Sequence, residues 1–300
     1  MTGKLDDEAW KLARWTQDFV DIEGKESLKP FFRTRAKMLW DDDYLYVGAE
    51  LEEPNVWATL TVHDSVIFQD NDFEVFIDPD GDNHQYYEYE INALGTDWDL
   101  RLPKPYRDGG PALNEWEIPG LKKAVHVNGT INDPSNTDVG WTLELAFPWK
   151  VLGEFAKCPC PPRTGEQWRV NFSRVEWDIR VVGGVYEKIP HLPEHNWVWS
   201  PQGVIDMHRP EMWGYVQFED EPKPFIPDPD WAVKCELMEV YWAQREFHEK
   251  VKRYAKNAAE LEHSNRKLKI ELTAEGYRAR LKGKKGWVTV RQDSLLTIGR

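Results

Sequence analysis

Short runs of alternating residues constrain the fold most, because a β-strand places successive side chains on opposite faces of its sheet. Residues 73–78 read FEVFID and residues 86–92 read YYEYEIN. Apolar or aromatic side chains take every second position of both runs, and the acidic turn DPDGDN joins them. The pattern predicts two antiparallel strands that share one apolar face and one polar face.

Similar runs recur over most of the chain. Between about residues 31 and 218, β-branched and aromatic runs alternate with Gly, Pro, Asn and Asp, and few segments have helical periodicity. This predicts a mainly β fold, an antiparallel β-sandwich, over residues 1–218. An acidic, proline-rich linker follows at 219–230. Residues 231–300 form a C-terminal extension, for which we predict an amphipathic helix to about residue 262 and then a small hairpin.

Charge restricts the class of partner. The formal net charge is −14, which disfavours nucleic acids and anionic membranes, since both reward basic patches. No apolar run approaches the roughly 18 residues of a membrane span. The first ten residues, MTGKLDDEAW, do not resemble a signal peptide, so the chain acts in the cytosol or has lost a leader.

The cysteines form neither a disulfide framework nor a zinc pattern. Cys158 and Cys160 are two residues apart, and Cys235 is remote from both. We interpret them as reduced thiols.

The polar face of the two strands is the main candidate site. If the strands pair through their turn, Glu74 lies near Glu88 and Glu90, and Asn92 shares the same face. Three carboxylates close together are unfavourable unless a metal, an arginine or a proton neutralises them. We expect Arg174, in the run NFSRVEW, to be the internal cation. The alternative is a solvated sheet face, but the interleaved aromatic residues argue against it.

The turn itself raises the question of calcium. Asp78, Asp80 and Asp82 occupy every second position. The helix–loop–helix calcium motif needs Gly sixth and Glu twelfth, whereas here Gly81 is fourth and Tyr89 is twelfth. The motif therefore fails, and an ordinary hairpin turn is the favoured interpretation, with a different kind of structural calcium site at the three aspartates as the alternative.

Six motifs follow one another along residues 5–218. They are WDDDYLYV, DNDFEVFIDPD, YYEYEINALG, GWTLELAFPW, RVNFSRVEW and WSPQGVIDMHRPEMWGYVQF. In this order they resemble the family 9 carbohydrate-binding modules, whose sandwich is related to DOMON domains. The resemblance implies a two-sheet sandwich that binds a plant-type polysaccharide or oligosaccharide at a chain end, between two aromatic side chains. It also implies structural calcium in many members and, because such polymers are met outside the cell, an extracellular or periplasmic location.

The resemblance assigns site residues one by one. The sugar-binding Glu of the family falls on Glu74, and its first clamp aromatic falls on Phe68, where the family has Trp. The second clamp Trp falls on Met207, which can cover a sugar face but lacks an aromatic surface. Either Trp98 or Trp199, in segments read as loops, then takes over the clamp, or the ligand differs from the usual ligand of the family. The same match makes Glu88, Glu90 and Asn92 hydrogen-bonding partners for hydroxyls. The complete predicted ligand-binding set is Phe68, Glu74, Glu88, Glu90, Asn92, Trp98, Arg174, Trp199, Met207 and His208.

Two other functions compete with saccharide binding. Glu88 and Glu90 are about 6.6 Å apart along a strand, which suits the carboxylate pair of a glycoside-cleaving enzyme. His208, Arg174 and Glu176 could add acid–base groups, although no Gly-x-Ser-x-Gly motif is present. Haem ligation, which some DOMON relatives achieve through Met and His, is disfavoured because the adjacent Met207 and His208 point to opposite faces of a regular strand.

Overall fold

The computed structural model describes residues 1–24 and 26–299. Its strands are β1 (Val20–Asp21), β2 (Thr34–Trp40), β3 (Tyr44–Glu52), β4 (Asp72–Asp78), β5 (Tyr86–Asn92), β6 (Asp97–Leu102), β7 (Lys122–Asn128), β8 (Gly140–Pro148), β9 (Gln167–Glu176), β10 (Ile179–Val182), β11 (Val185–Lys188), β12 (His195–Val198), β13 (Gly214–Gln217), β14 (Lys269–Leu272), β15 (Tyr277–Lys282), β16 (Trp287–Arg291) and β17 (Leu296–Gly299). The α-helices are α1 (Trp149–Leu152) and α2 (Trp231–Val251). Four 3-10 helices lie at Glu8–Lys11, Ile67–Gln69, Tyr106–Asp108 and Pro210–Met212.

Two antiparallel sheets form the sandwich. The first, which we call the site sheet, has the order β1-β12-β9-β4-β5-β6, and β13 also pairs with β9. The second, the back sheet, has the order β2-β3-β8-β7. Every strand pair in both sheets is antiparallel. The predicted fold class, a mainly β antiparallel sandwich, is confirmed.

The core lies between the two sheets and follows the alternation seen in the sequence. Phe73, Val75 and Ile77 of β4 point into it, and the back sheet supplies such residues as Leu145 and Phe147. Tyr87, Tyr89 and Ile91 of β5 join the same cluster. The predicted apolar face is therefore confirmed. Burying a side chain of this size stabilises the fold by roughly 1.5–3 kcal/mol.

The outer face of the site sheet is buried as well. A second apolar cluster covers it, formed by Phe76, Tyr86, Leu100, Leu102 and Trp213. Trp98 and Met207 pack against this cluster with part of their surface exposed. The polar residues of β4 and β5 thus lie among aromatic side chains, and the reading of this face as a solvated surface is wrong.

The C-terminal extension differs in detail from its prediction. Helix α2 ends at Val251, where Lys252 adopts a left-handed conformation, rather than near residue 262. Tyr254 and Ala258 continue the helical spacing, but they reach the apolar cluster of the extension from a non-helical segment. Strands β14 to β17 form a four-stranded antiparallel sheet instead of a single hairpin.

The extension is fastened to the sandwich through buried polar contacts. Tyr241 of α2 donates its hydroxyl hydrogen to Asp108 over 2.6 Å, and the hydroxyl of Ser294 donates to the same carboxylate over 2.7 Å. The amide of Leu296 donates to the carbonyl of Asp82 over 3.0 Å. Among the helices in the described ranges, none combines the length and apolar character that crossing a bilayer requires.

Candidate functional site

A row of four side chains crosses the middle of the site sheet on its outer face. Trp98 of β6 is paired with Glu90 of β5, Glu90 with Glu74 of β4, and Glu74 with Ser173 of β9. Because residues directly opposite one another in neighbouring strands point to the same face, these side chains are neighbours. The prediction that Glu74 lies beside the acids of β5 is confirmed.

Four carboxyl groups form what we call the acid floor: Asp72, Glu74, Glu88 and Glu90. Their relative exposures are 0%, 5%, 5% and 1%. Within the described residues, none of the four forms an ion pair with a lysine or an arginine. The nearest basic group is Nε2 of His208, 3.9 Å from Oε2 of Glu88.

Burial perturbs the acid floor strongly, because removal from water disfavours the charged form of a carboxyl group. Burial raises the pKa of Glu74 to about 7. Burial, and then the charge of Glu74, raises the pKa of Asp72, Glu88 and Glu90 well above the usual range. The floor therefore favours protons or an external cation over bare negative charge.

Several polar atoms of this face have no hydrogen-bond partner. They are Oδ2 of Asp72, Oε2 of Glu88 and Nε1 of Trp98. Buried polar groups in folded proteins are nearly always satisfied, so a cluster of unsatisfied ones needs an explanation. A ligand with donors and acceptors is the simplest explanation.

Other oxygens of the floor are already engaged by the backbone. Oε2 of Glu90 accepts a hydrogen bond from the amide of Phe68 over 2.9 Å. Oδ1 of Asp72 accepts one from the amide of Val175 over 3.1 Å. These bonds fix the orientation of both carboxyl groups, and Oδ2 of Asp72 is left without a partner.

Aromatic side chains flank the floor at two places. Phe68 is partly exposed, and its carbonyl accepts a hydrogen bond from Nε1 of Trp177 over 2.9 Å. The ammonium of Lys188 lies 3.5 Å from the centre of the Trp177 ring. Trp98, half-buried, stands at the other end of the acidic row.

His208 contributes to the same face from the loop before β13. Its Nδ1 lies 2.9 Å from the hydroxyl of Tyr86, and its ring meets that of Tyr106 edge-on at 4.4 Å. Burial, and then the charge of Arg107, lowers the pKa of His208 to about 3, so the imidazole is neutral at physiological pH. Met207 packs against the apolar cluster beside it.

The structure thus brings seven of the ten predicted residues to one face. They are Phe68, Glu74, Glu88, Glu90, Trp98, Met207 and His208. Their role as ligand contacts remains a prediction.

Arg174 does not neutralise the acid floor. It lies on the inner side of β9, two positions from the core residue Phe172, and is fully buried. Its guanidinium donates to Glu53 over 2.5 Å and to Glu176 over 2.8 Å. The prediction is wrong because Arg174 and Glu74 point to opposite faces of the sheet.

Asn92 is also engaged elsewhere. Its Nδ2 donates to the carbonyl of Leu60 and to Asp70, and its Oδ1 accepts from the amides of Leu94 and Thr96. The side chain is completely buried. Its oxygen therefore stabilises the turn between β5 and β6, its amide nitrogen binds Leu60 and Asp70 in the segment before β4, and neither group is left for a ligand.

The two candidate tryptophans have different surroundings. Trp199 packs on Phe172, with ring centres 5.8 Å apart, as part of the core between the sheets. Trp199 therefore does not flank the acid floor. Trp98 lies in strand β6 rather than in a loop, and it does reach the floor.

The turn aspartates form a separate acidic group. Asp78, Asp80 and Asp82 can each offer one oxygen within 4.8 Å of the others. The ammonium of Lys157 already lies 3.0 Å from Asp80 and 3.4 Å from Asp82, and Asp78 accepts a hydrogen bond from the amide of Gly81. Three carboxylates suit calcium, but an ion here would have to displace Lys157. Calcium in the turn stays a prediction.

Sequence reasoning missed several residues of the site. Asp72 and Ser173 could have been predicted, because each takes a position in its strand whose side chain points to the outer face. Tyr106 and Trp177 were not, because they follow no periodic pattern and reach the site through tertiary contacts.

Comparisons with known proteins identify a family for this chain. The model of the carbohydrate family 9 binding domain-like family matches residues 1–160. The exoglucanase XynX of Acetivibrio thermocellus is 30% identical over 117 residues, which are 39% of this chain and 9% of that protein. Endo-1,4-beta-xylanase A of Thermoanaerobacterium saccharolyticum is 29% identical over 116 residues, 39% of this chain and 8% of that protein. The chain thus spans less than a tenth of either relative.

Solved structures with a similar fold include a putative carbohydrate-binding protein from Bacteroides uniformis. It has a TM-score of 0.50 and 19% identity, over 69% of this chain and 87% of that chain. A family 9 module from Caldicellulosiruptor kristjanssonii, solved with cellotriose, has a TM-score of 0.47 and 15% identity over 76% of this chain and 94% of that chain. With more than half of its length matched by the family model, the chain belongs to the carbohydrate family 9 binding domain-like family.

Proposed function

We propose that this protein binds a saccharide, without cleaving it, on the outer face of the site sheet. One observation carries the proposal: unsatisfied, buried polar atoms of the acid floor lie beneath partly exposed aromatic side chains. A sugar ring has an apolar C–H face and a rim of hydroxyl groups. It can therefore satisfy both kinds of surface at once.

The expected contacts follow from the free atoms. Sugar hydroxyls donate hydrogen bonds to Oε2 of Glu88, and one hydroxyl accepts from Nε1 of Trp98. Phe68 and Trp98 supply the apolar walls. Each such hydrogen bond contributes on the order of 0.5–1.5 kcal/mol to affinity.

The carboxyl groups support binding better than they support hydrolysis. A glycosidase needs one carboxylic acid and one ionised carboxylate, held in environments that push their pKa values apart. Here burial raises the pKa of Glu74, Glu88 and Glu90 in the same direction.

The class of saccharide is proposed from the relatives. Both curated relatives are named for enzymes of glucan or xylan degradation, so we propose a plant-type polysaccharide or oligosaccharide as the ligand. Such polymers are met outside the cell, which supports an extracellular or periplasmic location.

A glycan array followed by calorimetry with the best ligand tests the proposal. Trp98→Ala should weaken binding at least tenfold because it removes a wall, and Glu88→Gln should weaken it severalfold because it replaces a carboxyl acceptor with an amide. Trp287→Ala and Glu246→Gln, both in the C-terminal extension, are the matched controls and should bind like the wild type.

Two results would contradict the proposal. If Glu88→Gln leaves affinity unchanged and lowers the melting temperature sharply, the floor is structural. If the wild type releases reducing ends from the bound glycan and Glu88→Gln does not, the protein is an enzyme.

A further inference from the structure

The C-terminal extension and the rest of the chain carry opposite net charges. Residues 231–300 contain 16 lysines and arginines against 9 aspartates and glutamates, whereas residues 1–230 contain 22 against 43. The formal net charges are therefore +7 and −21. A concentration of one sign of charge on a surface attracts ligands of the opposite sign, so the extension favours an anion.

Much of this positive charge lies on one face of the small sheet of the extension, β14 to β17. Burial alternates along β15, YRARLK, so that its apolar residues join the cluster with α2 and its basic residues are exposed. The register places Lys269 of β14 opposite Arg280 of β15, and Trp287 of β16 opposite Lys282. Because opposite residues point to the same face, these four side chains share the open face of the sheet.

Three cations gather around the ring of Trp287. The ammonium of Lys269 lies 4.6 Å from the ring centre, Cζ of Arg280 5.3 Å and the ammonium of Lys282 5.7 Å. Such cation–π contacts hold the charges in place. Within the described residues, none of the three forms an ion pair with a carboxylate. Like charges this close repel one another, and an anion between them relieves the repulsion.

A cleft of about 620 Å³ opens beside these cations. Trp287 forms one wall, and Arg266 and Lys267 add further positive charge to the lining. Glu236 is the one acidic residue that the described part of the chain contributes to this lining, and it already accepts a hydrogen bond from Asn265 over 2.6 Å. The volume is typical of sites for small ligands, which span roughly 300–1,000 Å³.

Buried contacts hold the Trp287 wall in position. The amides of Lys284 and Lys285, in the turn before Trp287, both donate hydrogen bonds to the carboxylate of Asp230, which is fully buried. The next residue, Val288, packs into the apolar cluster of the extension. A frame that is fixed before the ligand arrives loses little conformational entropy on binding.

We propose that this basic cleft, formed by Arg266, Lys267, Lys269, Lys282 and Trp287, binds an acidic saccharide, a sugar chain that carries uronic-acid carboxylates. The C–H face of one sugar ring packs on the exposed part of Trp287. The carboxylates accept charge-assisted hydrogen bonds from the ammonium groups of Lys269 and Lys282. The cleft therefore matches both the apolar face and the charge of such a ligand.

Nucleic acid is a poorer match to the basic cleft. Single strands are bound on a series of aromatic side chains that stack with successive bases, whereas Trp287 is the one aromatic residue that the described chain places in this lining. A DNA duplex also carries one negative charge per about 1.7 Å. The −21 charge of residues 1–230 repels so dense a charge more than it repels one carboxylate per sugar unit.

The basic cleft is separate from the acid floor, and the proposal does not rest on saccharide binding there. The cleft lies beyond residues 1–160, which the family model matches. The acid floor consists of carboxyl groups and so does not favour a carboxylate ligand. The charge of the saccharide thus distinguishes the two sites.

Calorimetry with a hexamer of galacturonic acid tests the proposal, and the fully methyl-esterified hexamer is the neutral probe of the same backbone. The acid should bind, the ester should bind at least tenfold more weakly, and added NaCl should weaken binding of the acid because exposed charge pairs are screened. Replacing two cations together, Lys269→Gln with Lys282→Gln, should weaken binding about tenfold. Both lysines are exposed, so these replacements leave the packing of the small sheet intact.

A matched control removes the same charge elsewhere in the extension. Lys250→Gln with Lys256→Gln replaces two exposed lysines outside the cleft and should bind the acidic hexamer as the wild type does. A neutral saccharide bound at the site sheet should not displace the hexamer. If no neutral saccharide binds, the result with the hexamer is unaffected, so the two proposals fail independently.

Four outcomes overturn the proposal. The first is an acidic hexamer that does not bind, and the second is an ester that binds equally well, since charge then plays no part. Equal losses in the two double variants would mean that the net charge of the extension acts and the cleft does not. A single-stranded hexanucleotide that binds more tightly than the sugar acid would make the cleft a nucleic-acid site.

Discussion

Neutral His208 makes the stability of this protein depend on pH. The imidazole is enclosed by Tyr86, Tyr106 and Arg107, with Glu88 facing its Nε2 and Asp206 accepting a hydrogen bond from its amide. Burial, and then the charge of Arg107, lowers its pKa to about 3. The folded protein therefore keeps this side chain neutral at pH values where the unfolded chain binds a proton.

The sign and the size of the effect follow from linkage. An unfolded histidine has a pKa of about 6.5, so below that pH the unfolded state takes up a proton that the folded state refuses. Stability is then lost as the pH falls from about 6.5 towards 3. Between pH 7.5 and pH 5.0 the linkage relation gives a loss of about 2 kcal/mol from this group.

Urea unfolding of the wild type and of His208→Gln at the two pH values measures the effect. Glutamine can still bond to the hydroxyl of Tyr86 but has no proton to gain, so the variant should lose about 2 kcal/mol less than the wild type between pH 7.5 and 5.0. The exposed His191→Gln serves as the control and should behave as the wild type does. An equal loss in the wild type and His208→Gln would refute the reasoning, because it would mean that His208 titrates alike in both states.

Three further substitutions probe other parts of the structure. Arg174→Met leaves Glu53 buried without its cation and should lower the free energy of unfolding by about 3–5 kcal/mol in urea titrations. Asp108→Asn weakens the anchor of the C-terminal extension, so amide exchange should speed up in residues 231–299 and stay unchanged in the site sheet. Gly140→Ala places a Cβ 2.0 Å from the carbonyl of Leu51 at a φ of +142°, so the melting temperature should fall by several degrees.

The sequence was enough to predict to which face of its strand each side chain points. It separated Phe73, Val75 and Ile77 from Glu74 and correctly grouped Glu74 with Glu90. This succeeds because alternation is a local property of the chain. It needs no knowledge of which strands are neighbours beyond one hairpin.

The alternation of side chains along β9 also explains why Arg174 does not reach the acid floor. Trp168, Val170 and Phe172 alternate in β9 and enter the core, which places Arg174 on the inner side as well. That signal was present in the sequence. Choosing Arg174 by charge instead of by position led to the wrong partner.

Features that depend on segments distant in the sequence could not be predicted from local patterns. Whether the polar face meets water depends on the loop around Met207 and on the packing of Trp213 against Phe76, which no local pattern reveals. The end of α2 at Val251 likewise reflects how Tyr254 packs against Tyr277 of the small sheet.

The family match ends at residue 160, and residues of the candidate site lie on both sides of that position. This bears on the specificity for a ligand. Residues 1–160 contain β4, β5 and β6, and so the whole acid floor. Ser173 and His208 lie beyond that segment, yet one completes the acidic row and the other closes the face above Glu88. A floor held by matched strands but bounded by unmatched loops can keep one mode of binding while its choice of ligand changes. We therefore expect substitutions in the loops around Trp177 and His208 to change which saccharide the proposed site binds.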